Sequence, residues 1–284
     1  MSRVAIFTDS ASDIDVTEAA ASGITIVPLL VNFGPQAFKA GKDLSTDAFW
    51  DRMTAPDAPF PTTAASSPGE FKDAYEAAFA AGAESIVSIH VASTLSGTIK
   101  SAQIARDMLP DRDIHIVDSL SASMALGLLC RLAVEMANAG RSAADIAAEV
   151  ERRVPDLQVY VALETLEYLK KGGRISGAQA AIGTLLSVKP IIELKDGAVE
   201  TADRVRTRSK ARERLLELIT EHKIERLSLL HSRTADIGEF RDELLRRLPD
   251  LRPASVTVEL VGPSVGPHIG PGAVGAAILR SPGS

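Results

Sequence analysis

A mostly parallel, helix-covered sheet followed by a second α/β unit is the fold class that this sequence predicts, on three observations. Short β-branched runs alternate with helical patterns through the first half of the chain, the signature of strand–helix–strand units. Near residue 157 that rhythm changes, and a hairpin-like segment and a charged helical pattern replace the even alternation. Hydrophobic residues make up 45% of the 284 positions while aromatics make up only 4%. Ala, Val, Ile and Leu must therefore fill the core, and a pocket in it is aliphatic.

The elements follow in order. VAIF reads as a strand, TEAAASG as a helix, ITIVPLLVNF as a strand, PGEFKDAYEAAFAAG as a helix and SIVSIHV as a buried strand. SGTIKSAQIARDML, DIHIVD and ASMALGLLCRLAVEMANAG continue the alternation as helix, strand and helix, completing a pattern expected of a parallel sheet. From DLQVYVALE onward come helices around TLEYLKKGG and SGAQAAIGTLL, then IIELKDGAVE, whose Asp196-Gly197 pair marks a tight hairpin. TRSKARERLLELITEHK reads as a charged helix, and RLSLLHS and SVTVELV as strands. The expected division is an N-terminal α/β domain over residues 1–156 and a C-terminal α/β domain over 157–284, since a chain of this length suits two ordinary domains. No internal repeat is visible, and Pro and Gly concentrate in APDAPFP (55–61) and GPSVGPHIGPG (262–272).

Charge and composition exclude several partners. A formal net charge of -6 and a pI near 5.5 disfavour nucleic acid and anionic membrane surfaces, which need a concentrated basic face. Cys130 is the single cysteine, so no internal disulfide forms, and it sits in the apolar run LGLLCRLAVEM as an expected buried thiol. MSRVAIFTDS meets Asp9 before a signal-peptide core develops, and the expected compartment is the cytoplasm. No apolar run approaches the roughly 18 residues of a membrane span, and the five histidines show no metal-ligand spacing.

Candidate chemistry gathers at strand ends. VASTLSGTIKSA sets Ser93, Thr94, Ser96 and Thr98 around Gly97 at a strand-to-helix junction. That placement aims hydroxyls and free helix amides at one point, the makings of an anion site, although a plain helix cap reads the same residues equally well. Neither GxxxxGK[ST] nor GxGxxG occurs, so the anion is a lone carboxylate or phosphate rather than a nucleotide. Asp9 in FTDS and Asp118 in IVDS end two more strands and read first as Asx turns or caps. GPSVG matches GxSxG formally, with His268 and Asp118 as triad candidates, but the helix that a nucleophile elbow needs is expected only after Gly272. Ser264 is then a loop residue and His268 a loop histidine able to donate to an anion. KKGGRISG supplies a Gly-Gly corner and Arg174, and RVRTR (Arg204, Arg206, Arg208) is a basic run that reads as a solvated face.

Taken in order, FTDSASD, TAASSPGEF, ASTLSGTIKSA, the VDS step, LEYLKKGGRISG and GPSVGPHIGPG resemble the DegV family, and the match runs the length of the chain. The resemblance implies a two-domain protein that binds a long-chain fatty acid between its domains as the substrate-holding partner of a bacterial fatty-acid kinase. It implies no cofactor and no catalytic residue in this chain, a separate kinase subunit phosphorylating the bound carboxylate to an acyl phosphate that feeds phospholipid metabolism. Thr63 and Ser93, with Ser96 beside them, would hold the carboxylate, Arg174 and His268 would stand at the pocket mouth, and Arg206 would contact the kinase. The family loop reads TSQPSPGEF, whereas Ala64, Ala65 and Ser66 stand here for its Ser, Gln and Pro. The competing class is a serine hydrolase or small-molecule phosphotransferase acting at the Ser93/His268 edge; a third is a structural interaction protein without ligand.

Overall fold

The computed structural model describes residues 3–175 and 188–282; the expected helix SGAQAAIGTLL lies outside the described residues. β1 (Val4–Asp9) leads into α1 (Val16–Ser22), whose N-cap Asp15 accepts the amides of Thr17 and Glu18, a side chain replacing the partners that a first turn lacks. β2 (Ile24–Val27) returns parallel to β1. Here the sequence expectation of one strand over ITIVPLLVNF fails. Pro28 has no N–H to continue a ladder, and the chain turns at it into β3 (Leu30–Phe33), which belongs to a different sheet with β4 (Gln36–Lys39) and β5 (Thr62–Ala64) in the order β4-β3-β5. Between β4 and β5 lies α2 (Thr46–Met53), which buries Phe49 and Trp50 completely.

α3 (Pro68–Ala80) starts on a capping box in which Ser67 and Glu70 satisfy each other's backbone amides, with proline at the first turn where no donor is lost. β6 (Ser85–His90), α4 (Thr98–Asp107) and β7 (Asp113–Asp118) follow, and the strands assemble as β2-β1-β6-β7, all parallel, as the alternation predicts. α5 (Met124–Asn138) and α6 (Ala143–Arg153) complete this half.

The second sheet takes every strand from Leu157 onward. Its members are β8 (Leu157–Ala162), β9 (Lys189–Lys195), β10 (Ala198–Val205), β11 (Ile224–His231), β12 (Val256–Leu260) and β13 (Val274–Arg280), in the order β10-β9-β8-β13-β11-β12. Asp196 and Gly197 both take positive φ at the β9–β10 turn (49° and 78°), the left-handed pair that a two-residue hairpin demands. Its helices are α7 (Glu167–Lys171), α8 (Arg208–Thr220), α9 (Ile237–Arg247) and α10 (Gly266–Ile269). α10 is a second departure: a short helix carries His268 where the sequence suggests a loop.

Alternation along the strands divides the second sheet into two faces. Tyr160, Ala162, Ile191, Leu229 and Ala276 pack with α8 and α9, while Leu230, Gly275, Val161 and Ile192 lie in one cross-strand row on the other face. α5 packs between the halves, against β1 and β6 on one side and β13, β11 and β8 on the other. The main core therefore runs without a break from Ile6 and Ile89 through Leu126 and Leu129 to Val159 and Ala277. Arg131 of α5 reinforces the join through a two-pronged pair with Glu18 (2.6 and 2.8 Å) and a contact to Glu259 (3.3 Å). Among the described residues no helix is long and apolar enough to cross a membrane.

Candidate functional site

Between the carboxyl edge of the first sheet and the inner face of the second lies a cavity of about 140 Å³. Its interior wall is aliphatic: Val159, Val161, Val199, Leu230, Val261 and Ala273 line it, all buried. Ala64 and Gly97 also line it and are exposed, so the cavity opens to solvent there.

Near that mouth the polar groups converge. β3 positions Thr63 by pairing Val31 with it across β5, and Thr63 Oγ1 meets His268 Nε2 at 3.1 Å. Arg174 donates through Nε to the Leu95 carbonyl (3.1 Å) and through Nη1 to the Gly172 carbonyl (2.7 Å), and among the described residues it has no carboxylate partner. Ser96 lines the cavity one residue beyond that carbonyl. Burial, and after it the charge of Arg174, push His268 down to about 4. The imidazole is therefore neutral at neutral pH, and Arg174 is the positive group of this cluster.

The Gly-Gly corner of KKGGRIS has two separate causes. Gly173 takes φ 69°, the left-handed value that glycine adopts without a Cβ penalty. Gly172 is needed for space, because a Cβ there would stand 2.2 Å from His268 Nδ1 and 3.1 Å from the Tyr168 carbonyl. Its φ is ordinary, so Gly172→Ala should fold and shift the ring away from Thr63. The lost Thr63–His268 bond is worth about 1 kcal/mol, roughly 2–4 °C of melting temperature for a chain of this size. A wild-type melting temperature would show that the ring's position does not matter.

Ser93 is not brought into the cavity. Its amide donates to both Asp118 oxygens (3.3 Å each), its side chain is exposed, and the wall is built from Leu95, Ser96 and Gly97 instead. Gly97 is the N-cap of α4, while Ser96 Oγ accepts the Thr98 amide (3.3 Å) and shares a hydrogen with Thr98 Oγ1 (2.8 Å). Asp118 also accepts the Leu120 amide (3.0 Å) and Asp9 accepts that of Ala11 (2.9 Å), so both are the turn-forming aspartates expected. The altered TAASSPGEF loop is satisfied locally: Ser66 Oγ donates to the Pro28 carbonyl (2.7 Å), and Ala64 and Ala65 line the cavity. Ser264 Oγ shares a hydrogen with Ser10 Oγ (2.8 Å). Ser264, His268 and Asp118 thus each face a different partner, and no triad forms from them. Arg206 is exposed beyond the end of β10, with no partner among the described residues.

Two groups escaped the sequence reading. Tyr75, Ser88, His90 and Asp9 form a wholly buried chain (2.9, 2.7 and 2.9 Å) that ties α3, β6 and β1; none of the four lines the cavity. Asp13 accepts Ser123 Oγ (2.5 Å) and the Gly262 amide (2.9 Å), clamping the α10 loop to the first half. Burial pushes Asp13 up to about 7 against those hydrogen bonds, with Glu259 and Asp9 adding to the rise. A folded value above the unfolded one means that the native state holds the proton more tightly, so stability from this group is full below about pH 4 and is lost as the pH rises through 7. Asp13→Asn, permanently neutral, should melt above wild type by a margin that grows from pH 5 to pH 8. An equal margin at both ends would place the titration elsewhere.

Comparison with known proteins settles the kinship. A family model described as "Uncharacterised protein, DegV family" matches residues 3–281. The chain belongs to the DegV family. A DegV domain-containing protein of Deinococcus radiodurans is 35% identical over 281 residues, covering 97% of this chain and 98% of the relative. Among solved structures, a DegV family protein from Thermus thermophilus described by its fatty-acid binding superposes with a TM-score of 0.89 at 33% identity, over 98% of this chain and 100% of that one. DegV from Bacillus subtilis, described as a fatty acid binding protein, gives 0.87 at 29% identity over 99% and 100%. The DegV architecture of a parallel sheet and a second sheet domain is thus the one seen here.

Proposed function

We propose that this DegV protein binds a long-chain fatty acid in the cavity between its sheets, with the carboxylate at the mouth beside Thr63, Ser96, Arg174 and His268. The observation that carries the reading is an aliphatic cavity whose mouth holds a guanidinium with no acidic partner among the described residues. An apolar wall takes the chain, and a lone cation takes an anion. About fifteen buried methylenes at roughly 0.8 kcal/mol each give an upper bound of about 12 kcal/mol before ordering costs. Charge-assisted hydrogen bonds at the mouth then offset the desolvation of the carboxylate. The fatty-acid binding described for the Thermus and Bacillus proteins supports the same reading. Mass spectrometry of denatured, solvent-extracted protein tests it: a long-chain fatty acid near one equivalent is the expected result, and protein that never carries one overturns it.

We propose further that the bound acid is presented to a separate kinase subunit in the cytoplasm. A carboxylate oxygen attacks the γ-phosphorus of the ATP held by that subunit, giving acyl phosphate and ADP, and this chain contributes binding rather than catalysis. Arg206, exposed and unengaged among the described residues, suits a rim contact to such a partner. Arg206→Ala should leave the lipid bound and slow its phosphorylation several-fold at low salt, the defect shrinking as salt rises, because exposed charges are screened over about 8 Å at physiological ionic strength. A kinase assay with bound lipid quantified in parallel decides it; loss of lipid, or a wild-type rate at low salt, counts against the contact.

A further inference from the structure

The outer hairpin of the second sheet does not stay in it. β9 pairs with β8 at Ile191, Ile192 and Glu193, and the Leu163 amide adds a bond to the Pro190 carbonyl (2.9 Å). Beyond Glu193 the two strands part, although β8 continues back to Leu157 in register with β13. β9 and β10 remain paired to the turn, Lys195 with Ala198, and a bulge between Thr201 and Asp203 bends β10. Bulges twist and bend a strand locally, so Leu194 to Val199 form an arm projecting from the sheet. Leu194 and Val199 on that arm line the cavity. Its tip reaches the other half of the molecule, where Thr94 Oγ1 donates to the Gly197 carbonyl. A Cβ at Gly197 would meet Thr94 Oγ1 at 2.6 Å, Leu120 at 3.5 Å and Ala92 at 3.6 Å, so a side chain there that is not bonded to residue 94 would push the arm away.

We infer that this arm is the moving wall through which the acyl chain passes, and that the Thr94–Gly197 hydrogen bond is its latch. The inference rests on the lipid-binding reading above. The mouth at Ala64 and Gly97 is open to solvent, but an acyl chain lodged against buried aliphatic residues passes faster if a wall moves, and backbone held on one side opens at lower free energy than core strands. β10 is an edge strand, paired among the described residues only with β9. Besides the apolar packing of Val199 and Leu194 against the main core, the arm is tied to the first half by one side-chain hydrogen bond among the described residues, and this latch sets the exchange rate more than the affinity.

The test locks the arm. A Cβ at residue 197 lies 2.6 Å from the position of Thr94 Oγ1, close to the roughly 3 Å between a Cβ and the far sulfur of a disulfide. Thr94→Cys with Gly197→Cys should therefore cross-link on oxidation. Cys130 does not compete, being fully buried with its thiol pushed up to about 12 by that burial. Protein loaded with octadecanoic acid is mixed with excess deuterated octadecanoic acid, and exchange is followed by mass spectrometry with and without reductant. Exchange at least tenfold slower in the oxidised form, restored on reduction, is the expected result. Thr94→Val, which keeps the shape and removes the donor, should exchange several-fold faster than wild type with no cross-link needed. Equal exchange in both redox states, together with wild-type exchange in Thr94→Val, overturns the latch and leaves lipid binding standing. Wild-type protein that holds no octadecanoic acid overturns the lipid-binding reading and the latch with it.

Discussion

Val161→Trp should empty the cavity without unfolding the protein. Val161 is buried on the inner face of the second sheet, in the row that also holds Ile192 and Leu230, and its side chain lines the cavity. An indole there extends into existing space rather than into packed side chains, so the overpacking cost of about 1–3 kcal/mol should sit at its low end. The ligand has no such freedom, since the space its methylenes need is taken. Copurified fatty acid should fall at least tenfold, whereas Val161→Ala should retain it. Stability offers a second readout. A ligand that binds only the native state stabilises it by about 4 kcal/mol when present at 1,000 times its Kd, so wild type should lose several degrees of melting temperature on delipidation and Val161→Trp almost none. Full lipid occupancy in Val161→Trp would place the acyl chain elsewhere.

The features legible in the sequence are those that local chemistry dictates. β-branched runs alternating with helices gave the parallel sheet, and Asp196-Gly197 gave the hairpin because few other pairs tolerate two positive φ values. Pro28 was visible too, but its effect was not: that the chain changes sheets there depends on β5, more than thirty residues later, arriving to pair with β3. His268 looked like a loop residue because flanking Gly and Pro obscure a four-residue helix. The hydroxyl cluster of VASTLSGTIKSA was found as a group, yet its members part company in space. Ser96 turns to the cavity, Ser93 is drawn outward by Asp118, and Thr94 reaches the second sheet. That sorting is set by long-range partners. So is the neutrality of His268, since spacing alone says nothing about a guanidinium and a buried wall meeting around one ring.

Gly266→Ala should be strongly destabilising, although alanine is the better helix former. Gly266 begins α10, and the backbone there asks for no left-handed φ, so the conformational effect of Ala is favourable. The packing effect is not. A Cβ at 266 would fall 2.4 Å from Phe49 Cε1, 2.9 Å from Phe49 Cζ and 3.1 Å from Trp50 Cζ2. Neither ring can retreat: both are completely buried, they meet edge to face at 5.0 Å, and Trp50 Nε1 is held by the Val261 carbonyl at 2.8 Å. The clash must move the α10 loop, and with it His268. Overpacking at a site that cannot relax costs up to about 3 kcal/mol, or roughly 6–12 °C of melting temperature for a chain of this size. Lipid retention should fall as well, because the displaced loop takes the ring from Thr63. Phe49→Leu supplies the control. It should destabilise wild type by opening a gap but cost little or nothing in the Gly266→Ala background, where that gap accepts the methyl. Strictly additive losses in the double variant, measured by thermal melts alongside extracted lipid, would mean that Phe49 is not what keeps residue 266 a glycine.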